Sequence, residues 1–320
     1  MRLRSVPPLV YHPLYSCPTW PAGHRFAMSK FSDMAVELAA QKLLPASAIH
    51  RPIPLEHAAF EAVHDANYYR RFITGKLSDD EARRIGFRNP LASSPELIER
   101  TVLECSGTAL AAELAHEHGI ACNLAGGTHH AHREFGSGFT ILNDLAVAAA
   151  DALRNGRADR VLVVDLDVHQ GDGTASIFED DERVFTFSMH CGKNFPFRKS
   201  RSNRDVDVPV GTGDAAYMAL LRDELPPLLR EFRPDLVLYD AGIDTFAGDD
   251  LGYLELSHAG LWQRDVYVVE SCAAAGVPIA TVIGGGYDRD LLALARRHAI
   301  VVKAAAHVWR RRRFSTSGFA

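Results

Sequence analysis

Residues 161–173 read VLVVDLDVHQGDG, and this stretch decides the fold class of the chain. It opens with an apolar run rich in valine and leucine, without alternation between apolar and polar positions. Such a run predicts a strand that is buried on both faces, as the strands of a parallel sheet are. Polar residues begin where the run ends, and ligands of open α/β sheets bind at the carboxyl ends of the strands. The stretch therefore predicts a buried strand that delivers functional side chains at its carboxyl end.

Five further apolar runs of the same kind predict additional buried strands, at residues 8–11, 120–125, 184–189, 235–239 and 279–283. Helical spacing of apolar residues predicts the helices between them, at residues 95–118, 143–154, 214–231 and 256–275. Ser93 or Ser94 could cap the first of these helices. Alternating strands and helices are typical of a three-layer α/β/α fold with a mainly parallel central sheet. No internal repeat or long linker interrupts the pattern, so we expect residues 1–320 to form a single domain.

Composition and charge narrow the classes of function. The chain has 320 residues, within the range of one α/β domain, and its 47% of hydrophobic residues can form a large core. A net charge of −5 argues against direct nucleic-acid binding, which needs an excess of basic residues. No stretch approaches the ~20 apolar residues of a membrane span, so we expect no membrane insertion.

The amino-terminal segment and the cysteines predict a cytoplasmic protein. Residues 1–13 read MRLRSVPPLVYHP, with basic residues but no apolar run after them, which is not typical of a secretory signal. The five cysteines are scattered, odd in number and without a CxxC pair. We therefore expect buried, reduced thiols, the state that a cytoplasmic location allows.

The polar end of the opening stretch has the spacing of a metal site. Asp167 and His169 are two positions apart, so both side chains can point to one side at a strand end. Asp244 follows another apolar run closely enough to return to the same place, whereas Asp240 could be structural. An Asp–His–Asp set leaves one coordination position open, as catalytic zinc sites do, and its oxygens also suit Fe²⁺ or Co²⁺. In the alternative interpretation, Asp165 and Asp167 cap turns, and the histidine lies at the surface.

Two adjacent histidines end another predicted strand, in LAGGTHH at residues 124–130. If His129 and His130 each have a carboxylate partner, the two imidazoles can hold different protonation states. Asp165 and Asp172 are candidate partners. One histidine could then take a proton from water, and one could deliver a proton to a leaving amine. A surface histidine cluster or an adventitious metal site is the alternative for such a pair taken alone.

A glycine run precedes a tyrosine in IGGGY at residues 283–287. Three glycines allow the backbone to approach a ligand closely and place Tyr287 at the edge of the site. Its hydroxyl can donate a hydrogen bond to a developing oxyanion. A tight loop would also explain the glycines. A phosphate-binding loop is disfavoured because no Lys and Ser/Thr pair follows.

Taken together and in chain order, these motifs resemble the histone deacetylase superfamily, which has the arginase-deacetylase fold. The segments that carry the resemblance are GGTHH at 126–130, GSGF at 136–139, DLDVHQGDG at 165–173, AGIDTFAGDDLG at 241–252 and IGGGY at 283–287. The resemblance extends over most of the chain, beginning with YHPLYSCPTWPAGHRF at 11–26. HQG after the ligand strand and NFPFRK at 194–199 are similar to the class IV branch and its bacterial relatives.

The resemblance implies a catalytic role for each of the motif residues, with zinc as the metal. The implied residues are the zinc ligands Asp167, His169 and Asp244, the histidines His129 and His130 with their partners Asp165 and Asp172, and Tyr287. The second histidine of the pair, His130, is usually taken as the general base in this family. The family's tyrosine polarises the acyl carbonyl.

The resemblance also implies a narrow substrate channel and a second ion. The implied channel residues are Gly138, Phe139, Leu251 and Gly285. Potassium is the implied structural ion, and its ligands are backbone or side-chain oxygens of Asp165, Asp167, His169, Ser188 and Met189.

The chain departs from the family pattern at three places. Gln170 replaces a histidine, and TIL at residues 140–142 replaces a commoner Cys-Tyr-Val run. The rim aspartate that holds the peptide backbone in some classes has no good match. Asp65 and Asn67 lie in a plausible region for it.

The sequence thus predicts a zinc-dependent hydrolase for the amide bond of an acylated amine, such as acyl-lysine in a peptide or protein. One alternative is an acetylpolyamine or another small acylated amine as substrate, which acidic rim residues such as Asp249 and Asp250 would favour. An arginase-like hydrolase with two manganese ions would need further bridging carboxylates. A catalytically silent acyl-lysine-binding module would normally have lost ligands that match here. The sequence indicates neither the acyl chain length nor the oligomeric state.

Overall fold

The structure, a computed structural model, describes residues 5–21 and 23–316, with side chains described up to residue 312. Residues 1–4 lie outside the described residues, and the expected absence of a secretory signal rests partly on them. Residues 317–320 lie outside as well, so a single domain over residues 1–320 stays a prediction.

The centre of the fold is an eight-stranded sheet in which neighbouring strands run parallel. The strands are β1 (Leu9–Val10), β2 (Ile49–His50), β3 (Ile120–Asn123), β4 (Val161–Asp165), β5 (Val184–Cys191), β6 (Arg204–Val208), β7 (Leu236–Asp240) and β8 (Ile279–Val282). Their order across the sheet is β2-β1-β3-β8-β7-β4-β5-β6. The prediction of a mainly parallel central sheet is confirmed.

Strand β4 has the buried character that its sequence predicts. Each of its residues is buried, and it lies between β7 and β5. Its register pairs Asp165 with Asp240 of β7 and with Ser188 of β5. The polar ends of β4 and β7 therefore lie side by side, and Ser188 of β5 lies next to them.

The sequence analysis missed the two strands at the edges of the sheet. β6 reads RDVDV, and only its last residue, Val208, is buried. β2 is just two residues long. An exposed edge strand with charged side chains, or a very short one, lacks the continuous apolar run that marks a buried strand.

Helices cover both faces of the sheet. The described α-helices are α1 (Lys30–Ala40), α2 (His57–Glu61), α3 (Ala66–Ile73), α4 (Asp79–Ile85), α5 (Pro95–His118), α6 (Asp144–Arg154), α7 (Asp172–Ile177), α8 (Asp214–Phe232), α9 (His258–Ala275) and α10 (Leu291–Thr316). The four predicted helices are α5, α6, α8 and α9, with ends within two residues of the expected ones. Ser94 caps α5, because its side chain accepts a hydrogen bond from Leu97 N.

Two helix layers enclose the sheet. α5 packs against α6 and contacts β1, β3, β7 and β8. In the other layer α9 contacts both α8 and α10, and α10 also contacts α1. The arrangement is the three-layer α/β/α fold that the sequence predicts.

Two expectations about the chain as a whole can be compared with this fold. The five cysteines are all buried and unpaired, as expected for reduced thiols. Within the described residues, the helices lack the combination of length and apolar composition that a bilayer crossing requires.

Candidate metal centre and active site

Loops at the carboxyl ends of five strands converge on one cavity of about 590 Å³. They follow β3, β4, β5, β7 and β8. The lining residues that the sequence analysis marked as functional are His129, His130, Asp167, His169, Asp244 and Tyr287. The cavity therefore lies where ligands bind in open α/β sheets.

The structure brings the three predicted metal ligands together. One ligand atom from each of Asp167, His169 and Asp244 lies within 4.8 Å of the others, and all three residues are buried. His169 Nδ1 is 3.0 Å from Asp167 Oδ1 and 3.2 Å from Asp244 Oδ2. The first two residues come from the loop after β4 and the third from the loop after β7.

The donor set fits a divalent cation. Asp167 and Asp244 are 1% and 0% exposed, and two neighbouring buried carboxylates are unfavourable without a cation. Burial, and next the negative charge of Asp167, raises the pKa of Asp244 to about 6. Two carboxylates and a histidine beside a cavity give three protein ligands and space for an exogenous oxygen, as in catalytic zinc sites. The residues present therefore fit zinc.

Backbone amides hold the ligand carboxylates in place. Val168 N donates to Asp244 Oδ1 at 2.8 Å, and Gly285 N donates to Asp167 Oδ2 at 2.8 Å. Position 285 requires glycine, because a Cβ there would lie 2.2 Å from Asp244 Oδ2. The glycine run therefore brings the backbone close to the ligands, as the sequence analysis expected.

Arg264 of α9 links the two ligand loops, and no motif indicated it. Its side chain is 0% exposed, and its Nε lies 2.9 Å from Asp265 Oδ1. Its guanidinium donates to Leu166 O at 3.2 Å, Gly242 O at 2.6 Å and Ala241 O at 3.1 Å. These carbonyls belong to the loops after β4 and β7, so one side chain fixes the position of both. A charged residue in a helical pattern normally indicates a solvated face, so the sequence carries no signal for this role.

His129 and His130 lie beside the carboxylates that the sequence analysis proposed as partners. His129 Nδ1 lies 2.8 Å from Asp165 Oδ2, and His130 Nδ1 lies 2.6 Å from Asp172 Oδ1. The centroids of the two imidazole rings are 4.1 Å apart. A carboxylate at Nδ1 favours the tautomer with its proton on that atom, which leaves Nε2 of a neutral ring free to accept another.

The two histidines differ in protonation. Burial opposes a charge on His129, but Asp165 and Asp167 together hold its pKa well above the ordinary value. Burial, and next the charge of His129, lowers the pKa of His130 to about 4. A neutral proton acceptor therefore lies next to a charged imidazole, which is the division of roles that acid–base catalysis needs.

His132 is a second partner of Asp172, and the sequence analysis gave it no role. Its Nε2 lies 3.1 Å from Asp172 Oδ2, and its Nδ1 lies 2.7 Å from Ser176 Oγ. Although burial acts in the opposite direction, hydrogen bonds with His130 and His132 hold the pKa of Asp172 below its ordinary value. The ionised carboxylate thus fixes the orientation of the His130 ring.

Tyr287 lines the cavity as a protonated donor. Burial, and next the negative charge of Asp244, raises its pKa well above the ordinary value. Its backbone N–H donates to Asp249 Oδ2 at 2.7 Å. Asp249 also accepts hydrogen bonds from Leu251 N at 2.9 Å and Gly252 N at 3.0 Å. Asp249 is 8% exposed and turned toward this backbone, so it does not supply the rim charge expected for a small-amine substrate.

The residues implied as the channel wall all line the cavity: Gly138, Phe139, Leu251 and Gly285. Gly138 has a φ of 55°, and a Cβ there would lie 2.5 Å from His130 Cδ2. Phe139 also has a positive φ, 65°, which a bulky residue rarely adopts. Its ring stacks on Phe87 at a centroid distance of 5.8 Å and lies 6.0 Å from the ring of Tyr287. These contacts make one wall aromatic and fix its position.

The residues implied as potassium ligands lie where β4 and β5 end. Ser188 pairs with Asp165 in the register of the two strands, and Met189 is the next residue of β5. Ser188 Oγ lies 2.9 Å from His190 Nδ1, and Asp167 N donates to Asp165 Oδ1 at 3.1 Å. Potassium binding by this group stays a prediction.

Asp240, for which the sequence analysis allowed a structural role, lies against the histidine pair. Its side chain is 0% exposed, and within the described residues neither carboxylate oxygen has a hydrogen-bond partner. Burial, and next the charge of Asp165, raises its pKa well above the ordinary value. Its Oδ2 lies 3.8 Å from His129 Nδ1, an atom that already bonds to Asp165 at 2.8 Å.

Gln170, one of the predicted departures from the family pattern, connects the loop after β4 to the segment before β6 and to β6 itself. Its Nε2 donates to Ser200 O at 2.9 Å and to Asp205 Oδ1 at 2.8 Å. Gln170 directly follows the ligand His169, so the metal loop is tied to residues 192–203, the segment between β5 and β6. We name this segment the 192–203 loop.

The rim aspartate considered at Asp65 has another role. Its side chain caps α3 by accepting a hydrogen bond from Tyr68 N at 2.8 Å. Neither Asp65 nor Asn67 lines the cavity.

In the TIL segment, Ile141 and Leu142 are 3% and 0% exposed. These two side chains therefore belong to the core.

Fold and site together define a hydrolase of the deacetylase type. Residues 24–304 match the histone deacetylase domain, and the chain therefore belongs to the histone deacetylase family. It is 34% identical to histone deacetylase 2 of Arabidopsis thaliana over 277 residues, which are 83% of this chain and 70% of that protein. It is 47% identical over 302 residues to an uncharacterized protein of Picosynechococcus sp., covering 94% of this chain and 99% of that one.

A solved structure has the same fold. The crystal structure of the HDA15 HD domain superposes with a TM-score of 0.79 and covers 95% of this chain and 88% of that chain. Its sequence is 23% identical, so the likeness concerns the fold. It agrees with the arginase-deacetylase architecture that the motifs imply.

Proposed function

We propose that this protein is a zinc-dependent deacylase that hydrolyses the amide bond of an acylated amine, with acyl-lysine as the preferred substrate. One observation carries the proposal. Asp167, His169 and Asp244 lie within 4.8 Å of one another in the same cavity as Tyr287 and the His129–His130 pair. Metal ligands, a proton acceptor and an oxyanion donor therefore face one space.

Zinc held by Asp167, His169 and Asp244 would supply Lewis acidity, polarising a carbonyl oxygen and lowering the pKa of water. The ligands include two carboxylates, which neutralise the dication. Hydrogen-bond donors of the protein must therefore stabilise a larger share of the negative charge that develops on the carbonyl oxygen. Fe²⁺ and Co²⁺ suit the same oxygen-rich set. We also propose potassium as a structural ion beside β4 and β5, supported by the pairing of Asp165 with Ser188 in the register of the two strands.

The protein side chains move the protons of the reaction. His130, neutral and oriented by Asp172, accepts a proton from a water in the cavity as the water oxygen forms a bond to the acyl carbon. The Tyr287 hydroxyl donates a hydrogen bond to the oxygen that gains negative charge. The C–N bond then breaks, and a histidine of the pair returns a proton to the amine nitrogen. The products are a carboxylate and a free amine.

The walls of the cavity support acyl-lysine as substrate. Phe139 and Leu251 line the cavity, and apolar and aromatic walls suit the methylene groups of lysine. A small acylated amine such as an acetylpolyamine is the alternative. A silent acyl-lysine reader is disfavoured, because every implied ligand and acid–base residue is present in the cavity. We further propose a cytoplasmic location, which the five reduced thiols support.

The proposal is tested with the purified chain, loaded with zinc and incubated with acetyl-lysine and longer acyl-lysine peptides. We expect a deacylated peptide with a free lysine ε-amine and a released carboxylate, both detected by mass spectrometry. The Asp167→Ala variant should lose both zinc and activity, whereas Asp223→Ala, an exposed carboxylate on α8, should retain both. Stoichiometric zinc in Asp167→Ala, or no turnover of any acyl-lysine peptide, would contradict the proposal.

A further inference from the structure

The exposed charged residues that line the cavity carry charge of one sign. Three exposed charged residues line the cavity, Arg25, Arg84 and Lys193, and all are cations. The carboxylates that line it are all buried: Glu104, Asp167 and Asp244. A substrate that approaches the channel therefore meets positive charge first, although the whole chain has a net charge of −5.

The mouth of the cavity also exposes aromatic surface. Phe195, Phe197 and Tyr253 line the cavity and are 37%, 94% and 53% exposed. They lie on two neighbouring segments, the 192–203 loop and the loop after β7. Three large rings that converge on one opening form a contact surface, unlike single apolar residues scattered over a protein.

Hydrogen bonds hold this surface in place. Asn194 Nδ2 donates to Leu251 O at 2.6 Å, and Tyr253 N donates to Asn194 Oδ1 at 3.1 Å. Lys199 Nζ donates to the carbonyl oxygens of Asn194 and Pro196, each at 2.6 Å. The rings are therefore displayed by an ordered loop, and a ligand does not have to order them on binding.

The 192–203 loop adds further positive charge. It contains Lys193, Arg198, Lys199 and Arg201 and no acidic residue. Within the described residues, no salt bridge neutralises Lys193, Arg198 or Arg201, and all three are exposed. Asp250 is an exposed acid near the mouth, but it does not line the cavity.

We propose that this rim selects acyl-lysine within acidic polypeptide segments that also carry apolar side chains. The inference rests on the proposed deacylase function and names its substrate class. Carboxylates beside the acyl-lysine would face Arg25, Arg84 and Lys193, and apolar side chains would contact Phe197. Polycationic amines and lysine-rich tails would bring like charge to the rim, which disfavours their association.

The test compares three acetyl-lysine peptides of equal length on the zinc-loaded enzyme, with flanking glutamates, alanines or lysines. An acetylated polyamine is the fourth substrate. At low ionic strength we expect kcat/KM to be about tenfold higher for the glutamate peptide than for the lysine peptide, from several exposed charge pairs. Added salt should reduce this ratio, because it screens exposed charges.

Charge-reversal variants assign the selectivity to the rim. Lys193→Glu and Arg84→Glu should each lower the ratio of glutamate-peptide to lysine-peptide kcat/KM by about threefold. Arg230→Glu changes the net charge by the same amount. Arg230 lies near the end of α8, where the chain enters the amino end of β7, and the cavity lies at the opposite, carboxyl ends of the strands. This variant should leave the ratio unchanged. The ratio is insensitive to a partial loss of folded enzyme.

A substitution of Phe197 tests the contribution of the aromatic surface. Phe197→Ser should raise KM for a glutamate peptide with flanking leucines relative to one with flanking glycines, by about threefold. Val210→Ser is the matched control, because Val210 is 57% exposed and does not line the cavity.

The outcomes separate this inference from the function on which it rests. Equal kcat/KM for the three peptides, or a preference for the lysine peptide or the polyamine, would overturn the acidic-substrate inference and leave deacylation intact. Turnover of none of the acyl-lysine peptides would remove the proposed function and this inference with it.

Discussion

Tyr287 is the side chain whose removal should separate chemistry from metal binding. Tyr287→Phe deletes the hydroxyl that we propose as the oxyanion donor and leaves the three proposed ligands untouched. We expect kcat to fall by about 10²–10³, the usual effect of losing one oxyanion donor. Steady-state kinetics and zinc content measure the two properties, and Tyr267→Phe on α9 is the control. Full activity in Tyr287→Phe would show that the hydroxyl has no role in the reaction.

Asp172→Asn should weaken the hydrogen bonding that fixes the orientation of the His130 ring. The amide presents only one acceptor atom, so it cannot hold both His130 and His132 as the carboxylate does. We expect activity to fall by about 10- to 100-fold with zinc still bound, as for other groups that orient a catalytic side chain. An unchanged kcat would contradict the positioning role. Asp180→Asn, at an exposed turn, is the control.

At the scale of single residues, the sequence predicts the functional residues that belong to motifs. It does not predict the residues whose role depends on tertiary packing. Asp167, His169 and Tyr287 follow strand ends, where side-chain direction is fixed by the period of the strand and by the edge of the sheet. Arg264 carries no such signal, because its importance depends on burial against segments distant in sequence. Asp240 does lie at a strand end, but its contact with His129 depends on the same kind of burial. Asp249 was interpreted as a rim charge, whereas it binds the backbone around the tyrosine.

At the scale of elements, α9 connects the two loops that carry the metal ligands. Arg264→Met removes the guanidinium bonds to three loop carbonyls and leaves Asp265 buried without its ion-pair partner. We expect a loss of about 3–5 kcal/mol in the free energy of unfolding. We also expect zinc affinity to fall by about 10- to 100-fold.

A double variant distinguishes the two effects of Arg264. Arg264→Met with Asp265→Leu removes the unpaired carboxylate, so part of the stability should return. Zinc affinity should remain low, because the loop carbonyls still lack their donor. Denaturant unfolding and competition with a chelator measure the two quantities. Wild-type zinc affinity in the folded double variant would contradict the connecting role of α9.

The sequence predicts the fully buried strands well and the strands at the edges of the sheet poorly. β4 and β7 are continuous apolar runs, and α5 begins at a serine cap, so their patterns are clear. β6 has three charged residues out of five and is mostly unburied, so it pairs with β5 without the apolar run that marks a buried strand. Short helices such as α2 and α7 are too brief for their spacing to be distinctive.

At the scale of the whole molecule, metal binding and folding should be coupled. The folded chain places Asp167 and Asp244 together in the interior, and an unfolded chain does not. Zinc at 100 times its Kd should therefore stabilise the fold by about 2.7 kcal/mol. Thermal unfolding after chelation and after zinc readdition measures this change. Asp167→Ala should show no zinc-dependent shift in Tm, and an equal shift in that variant would place the stabilising ion elsewhere.

The bond network of Gln170 constrains how this enzyme could be re-engineered. A designer who wishes to change the proposed substrate preference would look first to the 192–203 loop, since four of its residues line the cavity. Lengthening the loop, however, would displace Ser200, and the strain would pass through Gln170 to the neighbouring His169. New preferences are therefore more readily obtained by exchanging individual side chains at the entrance, with the loop kept at its present length.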